Sequence, residues 1–134
     1  MDAYGHVNNV QFLRLMEDAR IKAFQEWFGP RNTLLSSGCV VARSEIEYLI
    51  PLSFQHEGVA VDVWVSRIGG ATFDLGYELR DPHEVGHRLY AHAETTMVWY
   101  DFESHGPRRG TPAERAVLEA VGGEPVAMRG RGDR

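Results

Sequence analysis

Asp2-Ala3-Tyr4-Gly5-His6-Val7-Asn8-Asn9 runs straight into Val10-Gln11-Phe12-Leu13-Arg14-Leu15-Met16-Glu17-Asp18-Ala19-Arg20. The first eight of these residues place a carboxylate on a polar turn that contains glycine. The rest carry a helical pattern. Phe12, Met16, Ala19, Ala23 and Trp27 recur at spacings of three and four, and Leu13, Leu15 and Phe24 widen the stripe. Arg14, Asp18, Lys22 and Gln25 lie opposite. The pattern predicts a helix from about Val10 to Phe28, capped by Asn8 or Asn9 and stopped at Gly29-Pro30. So broad an apolar face calls for a sheet to cover it.

Downstream the period changes to two, as in antiparallel strands with one buried face. From Val40 to Leu49, the residues Val40, Ala42, Ser44, Ile46 and Tyr48 fall on one face, with Arg43, Glu45 and Glu47 on the other. Val59, Val61, Val63 and Val65 alternate with Ala60, Asp62, Trp64 and Ser66. Phe73, Leu75, Tyr77 and Leu79 alternate with Asp74, Gly76, Glu78 and Arg80. A fourth strand candidate spans Leu89 to Tyr100. Gly69-Gly70 predicts a tight hairpin and Asp81-Pro82 to Gly86 a looser one. A short second helix is expected over 112–121, with Thr111 as its N-cap. The reading is α+β: one long helix, then an antiparallel meander, in one domain over 1–121. The Gly- and Arg-rich residues 122–134 read as a disordered tail.

Composition narrows the function. The chain has 134 residues, the size of one domain, and 43% of them are hydrophobic. A net charge of -5 supplies no basic field for nucleic acid. The single cysteine, Cys39, cannot form an internal disulfide. No apolar run approaches the roughly 20 residues that span a bilayer. The start of the sequence has no signal-peptide character. A cytoplasmic protein with neither membrane nor nucleic acid as partner is the expectation.

Local physics gives the opening segment two meanings. Asp2 and the asparagines are ordinary helix-capping residues. Equally, a helix N-terminus offers unpaired N–H groups and a positive dipole end, and a carbonyl placed there has its oxygen polarised while Asp2 faces its carbon. Those are the two parts that acyl transfer needs. The pattern Asp-x-x-Gly-His-Val-Asn-Asn, followed by Glu17-Asp18-Ala19-Arg20, resembles the 4-hydroxybenzoyl-CoA thioesterase-like branch of the hotdog superfamily. The helix-then-strands order agrees over nearly the whole chain.

The resemblance implies a hotdog fold, a long central helix wrapped by an antiparallel sheet, working as a homodimer or dimer of dimers. It implies hydrolysis of an acyl-CoA or acyl-carrier-protein thioester. Asp2 matches the catalytic carboxylate, as nucleophile through an acyl-enzyme anhydride or as general base on water. The backbone N–H of Asn9 matches the group that polarises the thioester carbonyl. Gly5 allows close backbone approach, and His6, Val7 and Asn8 shape the substrate site. Glu17 matches a motif position; an ion pair with Arg20 or a neighbour is its plain alternative. No metal and no bound cofactor is implied, since CoA belongs to the substrate. The resemblance also implies a strand ahead of the Asp-x-x-Gly turn; only Met1 precedes Asp2 in this sequence, which leaves a late start, a truncation and a true absence of that strand as the alternatives. The alternative function is a non-hydrolytic acyl-thioester binder on the same fold.

Other signals are weaker. His83-Glu84-Val85-Gly86-His87 matches the zinc-protease pattern H-E-x-x-H, which works only on a helix. Asp81-Pro82 ahead of it, Gly86 within it and strands on both sides predict a hairpin loop instead. His92 and Glu94 read as ordinary sheet residues, and Cys39 as a small buried one. Arg108, Arg109, Arg129 and Arg131 suit either CoA phosphates or solvent.

Overall fold

The computed structural model describes residues 9–29, 38–50, 59–82, 86 and 88–128. Helix α1 (Asn9–Phe28) opens it. Strands β1 (Cys39–Tyr48), β2 (Ala60–Ile68), β3 (Thr72–Arg80) and β4 (Leu89–Asp101) follow, then a short return strand β5 (Gly106–Pro107) and helix α2 (Pro112–Ala120). α1 ends where a glycine permits it: Gly29 adopts φ 100° and its N–H bonds the Gln25 carbonyl at 2.9 Å. Thr111 caps α2, its side chain accepting from the Glu114 N–H while the Glu114 carboxylate accepts from the Thr111 N–H. Among the described residues no helix is long and apolar enough to cross a membrane.

The sheet order is β1-β4-β3-β2, all antiparallel, with β5 folded back on the end of β4. The expected meander holds for β2, β3 and β4. It fails for β1, which lies beside β4 rather than β2. Hydrophobic alternation states that a strand has a buried face; it carries no information about which strand is its neighbour. β1 and β2 are therefore the two edges of the sheet among the described strands.

Two bulges correct the face assignments. In β1, Val41 pairs with Met97 and Arg43 with Thr96, so Ala42 is an extra residue. Val41, not Val40, thus shares the helix-side face with Ser44, Ile46 and Tyr48. In β2, Val65 pairs with Leu75 and Arg67 with Asp74, leaving Ser66 extra and bringing Ile68 to the helix side.

α1 covers this inner face. Phe12, Met16, Ala23 and Phe24 bury against Phe73, Leu75, Tyr77, Leu79, Ala91, Ala93, Met97 and Trp99. Ring contacts fix the direction of α1. Phe12 meets Tyr48 edge-on at 5.1 Å at one end, and Phe28 meets Trp99 at 6.3 Å at the other. Since Cys39 pairs with Trp99, α1 runs antiparallel to β1, its N-terminus at the Tyr48 end.

The outer face carries ion pairs and hydrogen bonds: Arg43 with Glu94, His92 with Glu47, Arg80 with Asp62, and Arg67 with Asp74. The tail crosses it. Contrary to the expectation of a loose segment from Gly122, residues 122–128 are docked. The Val65 N–H bonds the Val121 carbonyl, the Gly123 N–H bonds the Val65 carbonyl, and Val126 and Met128 are buried. The anchor is Trp64, whose indole N–H donates to the Glu124 carbonyl at 2.7 Å. Its ring lies against both Gly76 and Gly123, where an added Cβ would stand 2.6 and 2.7 Å from ring atoms. The packed domain therefore extends past 121 to Met128; residues 129–134 lie outside the described residues.

Candidate active site

α1 begins at Asn9. The N–H groups of a helix's first turn have no intrahelical acceptor, and the Asn9 N–H is one of the four without a partner inside α1. Asp2, Gly5, His6, Val7 and Asn8 lie outside the described residues, as does the cap position. The sequence motif thus abuts the helix start, and the structure brings no described side chain of that motif to it except through α1 itself.

Two turns further along α1, a cleft of about 300 Å³ opens between α1 and β1. Ile21, Cys39, Val41 and Met97 give it an apolar lining, and Glu17 and Arg20 border it. Glu17 is exposed and makes no ion pair with another described residue, so the anticipated Glu17–Arg20 pair is absent. Arg20 turns inward instead. Its Nη1 donates to the Tyr77 hydroxyl at 3.0 Å, and that hydroxyl shares a 2.8 Å hydrogen bond with Thr95 Oγ1. Burial pushes the Tyr77 phenol above its ordinary value, against the opposing pull of Arg20. The hydroxyl is therefore neutral at physiological pH and accepts from Arg20. Sequence spacing placed Glu17 and Arg20 one turn apart. It held no signal that Arg20 reaches across to β3.

Cys39 borders the cleft without serving as a nucleophile. Burial pushes its thiol up to about 12, only partly offset by Arg20 and Arg108. The outer-face histidine is likewise structural in its contacts: His92 Nε2 lies 2.6 Å from Glu47 Oε1. Around the H-E-x-x-H pattern, the Asp81 N–H bonds the Arg88 carbonyl and the Gly86 N–H bonds the Pro82 carbonyl, joining β3 to β4. His83, Glu84, Val85 and His87 themselves lie outside the described residues. No group of three or more metal-binding side chains occurs among the described residues. Arg108 is committed to structure: it holds Glu114 through two hydrogen bonds and lies over the Trp99 ring at 4.9 Å.

The described arrangement is an apolar groove between α1 and β1, with the start of α1 following Asp2–Asn8 in the sequence. Several solved structures are similar to this chain in fold. A thioesterase from Thermus thermophilus, complexed with coenzyme A and zinc, is 30% identical, with a TM-score of 0.73 over 93% of this chain and 88% of that one. A predicted thioesterase from Bacillus stearothermophilus is 23% identical, with a TM-score of 0.77 over 93% and 90%. The probable thioesterase YbaW from Escherichia coli is 23% identical, with a TM-score of 0.70 over 90% of each chain. Comparison with curated proteins gives no match. The thioesterase-like superfamily matches residues 1–121, which include the Asp2–Asn9 motif, α1 and all the strands. The chain therefore belongs to the thioesterase-like superfamily, with the α+β hotdog fold.

Proposed function

We propose that this chain hydrolyses an acyl-CoA thioester to free acid and thiol, an acyl-carrier-protein thioester being the variant form of the same substrate. The observation that carries the reading is the apolar cleft along α1, beside Glu17 and downstream of the helix start at Asn9. The acyl group enters between α1 and β1. The thioester carbonyl lies at the N-terminus of α1, where the Asn9 N–H stabilises negative charge developing on its oxygen. Asp2 acts on the carbonyl carbon, directly as nucleophile or through a water molecule as general base. Gly5 lets the backbone approach the thioester, and His6, Val7 and Asn8 line the approach. Glu17, exposed at the cleft and without an ion-pair partner among the described residues, orients water or substrate from the side. No cofactor takes part.

The working unit is a homodimer formed by antiparallel pairing of β1 with its copy, with a dimer of dimers as the larger form. β1 is an edge among the described strands, and Leu13, Val41, Tyr48, Leu49 and Ile50 in and beside it are 38–46% exposed. An uncovered apolar edge is otherwise a liability. The test is a panel of acyl-CoAs with free-thiol detection. Turnover by the native chain and its loss in Asp2→Asn support the reading; no hydrolysis of any acyl thioester sinks it.

A further inference from the structure

The cleft between α1 and β1 is apolar over most of its wall, yet a guanidinium stands in it. Among the described residues Arg20 is the one cationic side chain in the lining. One of its five N–H donors goes to the Tyr77 hydroxyl at 3.0 Å, and Thr95 holds that hydroxyl in turn. Among the described residues Arg20 meets no carboxylate. Neither acidic group on the cleft fills that place. Glu17 borders it but is exposed, so water and salt screen its charge. The Cys39 thiol, near enough to feel Arg20, is kept neutral by burial. A half-buried cation of this kind is stabilised by an anion brought to it. The Tyr77–Thr95 pair fixes the guanidinium before any ligand arrives, which lowers the cost of binding.

The distance to the helix start sets the length of what can bind. Leu13, Glu17 and Arg20 follow Asn9 at helical spacing along one face of α1. Leu13 is largely exposed and makes this face an apolar path toward the cleft. From Asn9 to Arg20 the axis rises about 16 Å. Side chains on a helix lean back toward its N-terminus, which leaves a span on the order of 10 Å to the guanidinium. Three extended chain bonds cover about 3.5 Å, so the span takes a chain of about eight to ten carbons. A volume of about 300 Å³ lies at the small end of ligand pockets and suits a chain of that size.

Resting on the thioesterase reading above, we infer that the preferred substrate is the half-thioester of a medium-chain dicarboxylic acid, whose far carboxylate is bound by Arg20 inside the cleft. The planar fork of a guanidinium meets both oxygens of a carboxylate. A hydroxyl at the chain end would leave the charge of Arg20 uncompensated. Arg20 is thus a specificity-determining residue, and the methylene chain between the two carboxyl ends lies along the apolar wall.

The test pairs acids with plain acyl groups of equal length: sebacoyl-CoA with decanoyl-CoA, and glutaryl-CoA with pentanoyl-CoA. Free-thiol release is followed for each. The native chain is expected to favour sebacoyl over decanoyl at least about tenfold in kcat/KM, mainly through KM. The short pair, which cannot reach Arg20, is expected to show no such advantage for the acid. Equal use of the long pair, or an equal advantage in the short pair, overturns the inference, and neither outcome depends on a variant that folds. Arg20→Gln is expected to abolish the preference, and Arg20→Lys to keep part of it. A preference that survives in Arg20→Gln overturns the role of Arg20. Tyr77→Phe loosens the same network but leaves the cation, so it is expected to retain the preference. Complete loss there would assign the preference to packing and overturn the role of the charge. Calorimetry with monomethyl sebacate, which keeps a free far carboxylate and has no thioester, separates the two readings. Binding that weakens at least about tenfold in Arg20→Gln, with no thioester hydrolysed, leaves this site standing and removes the thioesterase. Hydrolysis of decanoyl-CoA with neither binding of the half-ester nor preference for sebacoyl does the reverse.

Discussion

Arg20 of α1 donates a 3.0 Å hydrogen bond to the Tyr77 hydroxyl on β3, and Tyr77 passes the contact to Thr95 on β4. The three elements are thereby tied through one fully buried phenol. Tyr77→Phe keeps the ring and removes the shared oxygen, leaving Arg20 and Thr95 each short of a partner. A loss of about 1–3 kcal/mol is expected, with a fall in Tm of about 3 °C per kcal/mol in a domain of this size. Thermal denaturation followed by circular dichroism measures it; an unchanged Tm means that the network contributes nothing net.

The Arg108–Glu114 pair gives the chain a pH-dependent element of stability. Burial alone would raise the Glu114 carboxyl, but hydrogen bonds from Arg108 and Thr111 outweigh it and hold the group below its ordinary value near 4.5. A carboxyl lowered in the folded state stabilises the fold above its unfolded value and loses that contribution as pH falls through its folded value. Glu114→Gln should therefore cost about 1 kcal/mol or less near neutral pH. The difference in Tm from the native protein should shrink steadily on acidification. A difference that stays constant down to the lowest pH at which both fold would assign the effect to packing alone.

Asp2→Asn distinguishes chemistry from capping, because asparagine caps a helix about as well as aspartate. A capping role predicts less than about 1 kcal/mol of lost stability and intact turnover. The proposed role predicts a fall of about a hundredfold or more in kcat with little change in Tm. Asp2→Ala, run in parallel, guards against asparagine that deamidates back to aspartate.

Sedimentation should give twice the 15.1 kDa chain mass at micromolar concentration. Leu49→Lys combined with Ile50→Lys places two charges beside the β1 edge and should shift the protein toward monomer, with activity falling in step. A double variant that remains a dimer would place the interface elsewhere.

The helix-side pattern was legible from spacing alone. Phe12, Met16 and Phe24 at helical intervals, and Phe73 to Leu79 at intervals of two, lie where the sequence puts them. Reading failed where structure depends on residues distant in the chain. Ala42 and Ser66 are inserted against partners that the alternation cannot see, so Val40 was given the face that Val41 occupies. β1 pairs with β4 because of chain path, which local propensity does not encode. Gly122 to Met128 looked like a loose tail because its composition is that of one; its order comes from Trp64, some sixty residues earlier. For the candidate site, Asp2, Gly5, His6, Val7 and Asn8 are proposed by resemblance and lie outside the described residues, while Glu17 lies at the described cleft. The inward turn of Arg20 was not legible, since an arginine on a half-buried helix face reads the same whether its head meets solvent or a buried phenol.

The Trp64 indole, held between Gly76 and Gly123, also sets which changes the sequence tolerates together. Even a methyl group at either glycine would overlap the ring, so alanine at 76 or 123 should be rejected while tryptophan stands at 64. Replacing Trp64 with a smaller apolar residue frees both positions at once and removes the donor that holds the Glu124 carbonyl. These three sites should therefore change as a set among descendants of this sequence. In a library randomised at all three, recovery of glycine at 76 and at 123 should depend on whether the same clone keeps the indole.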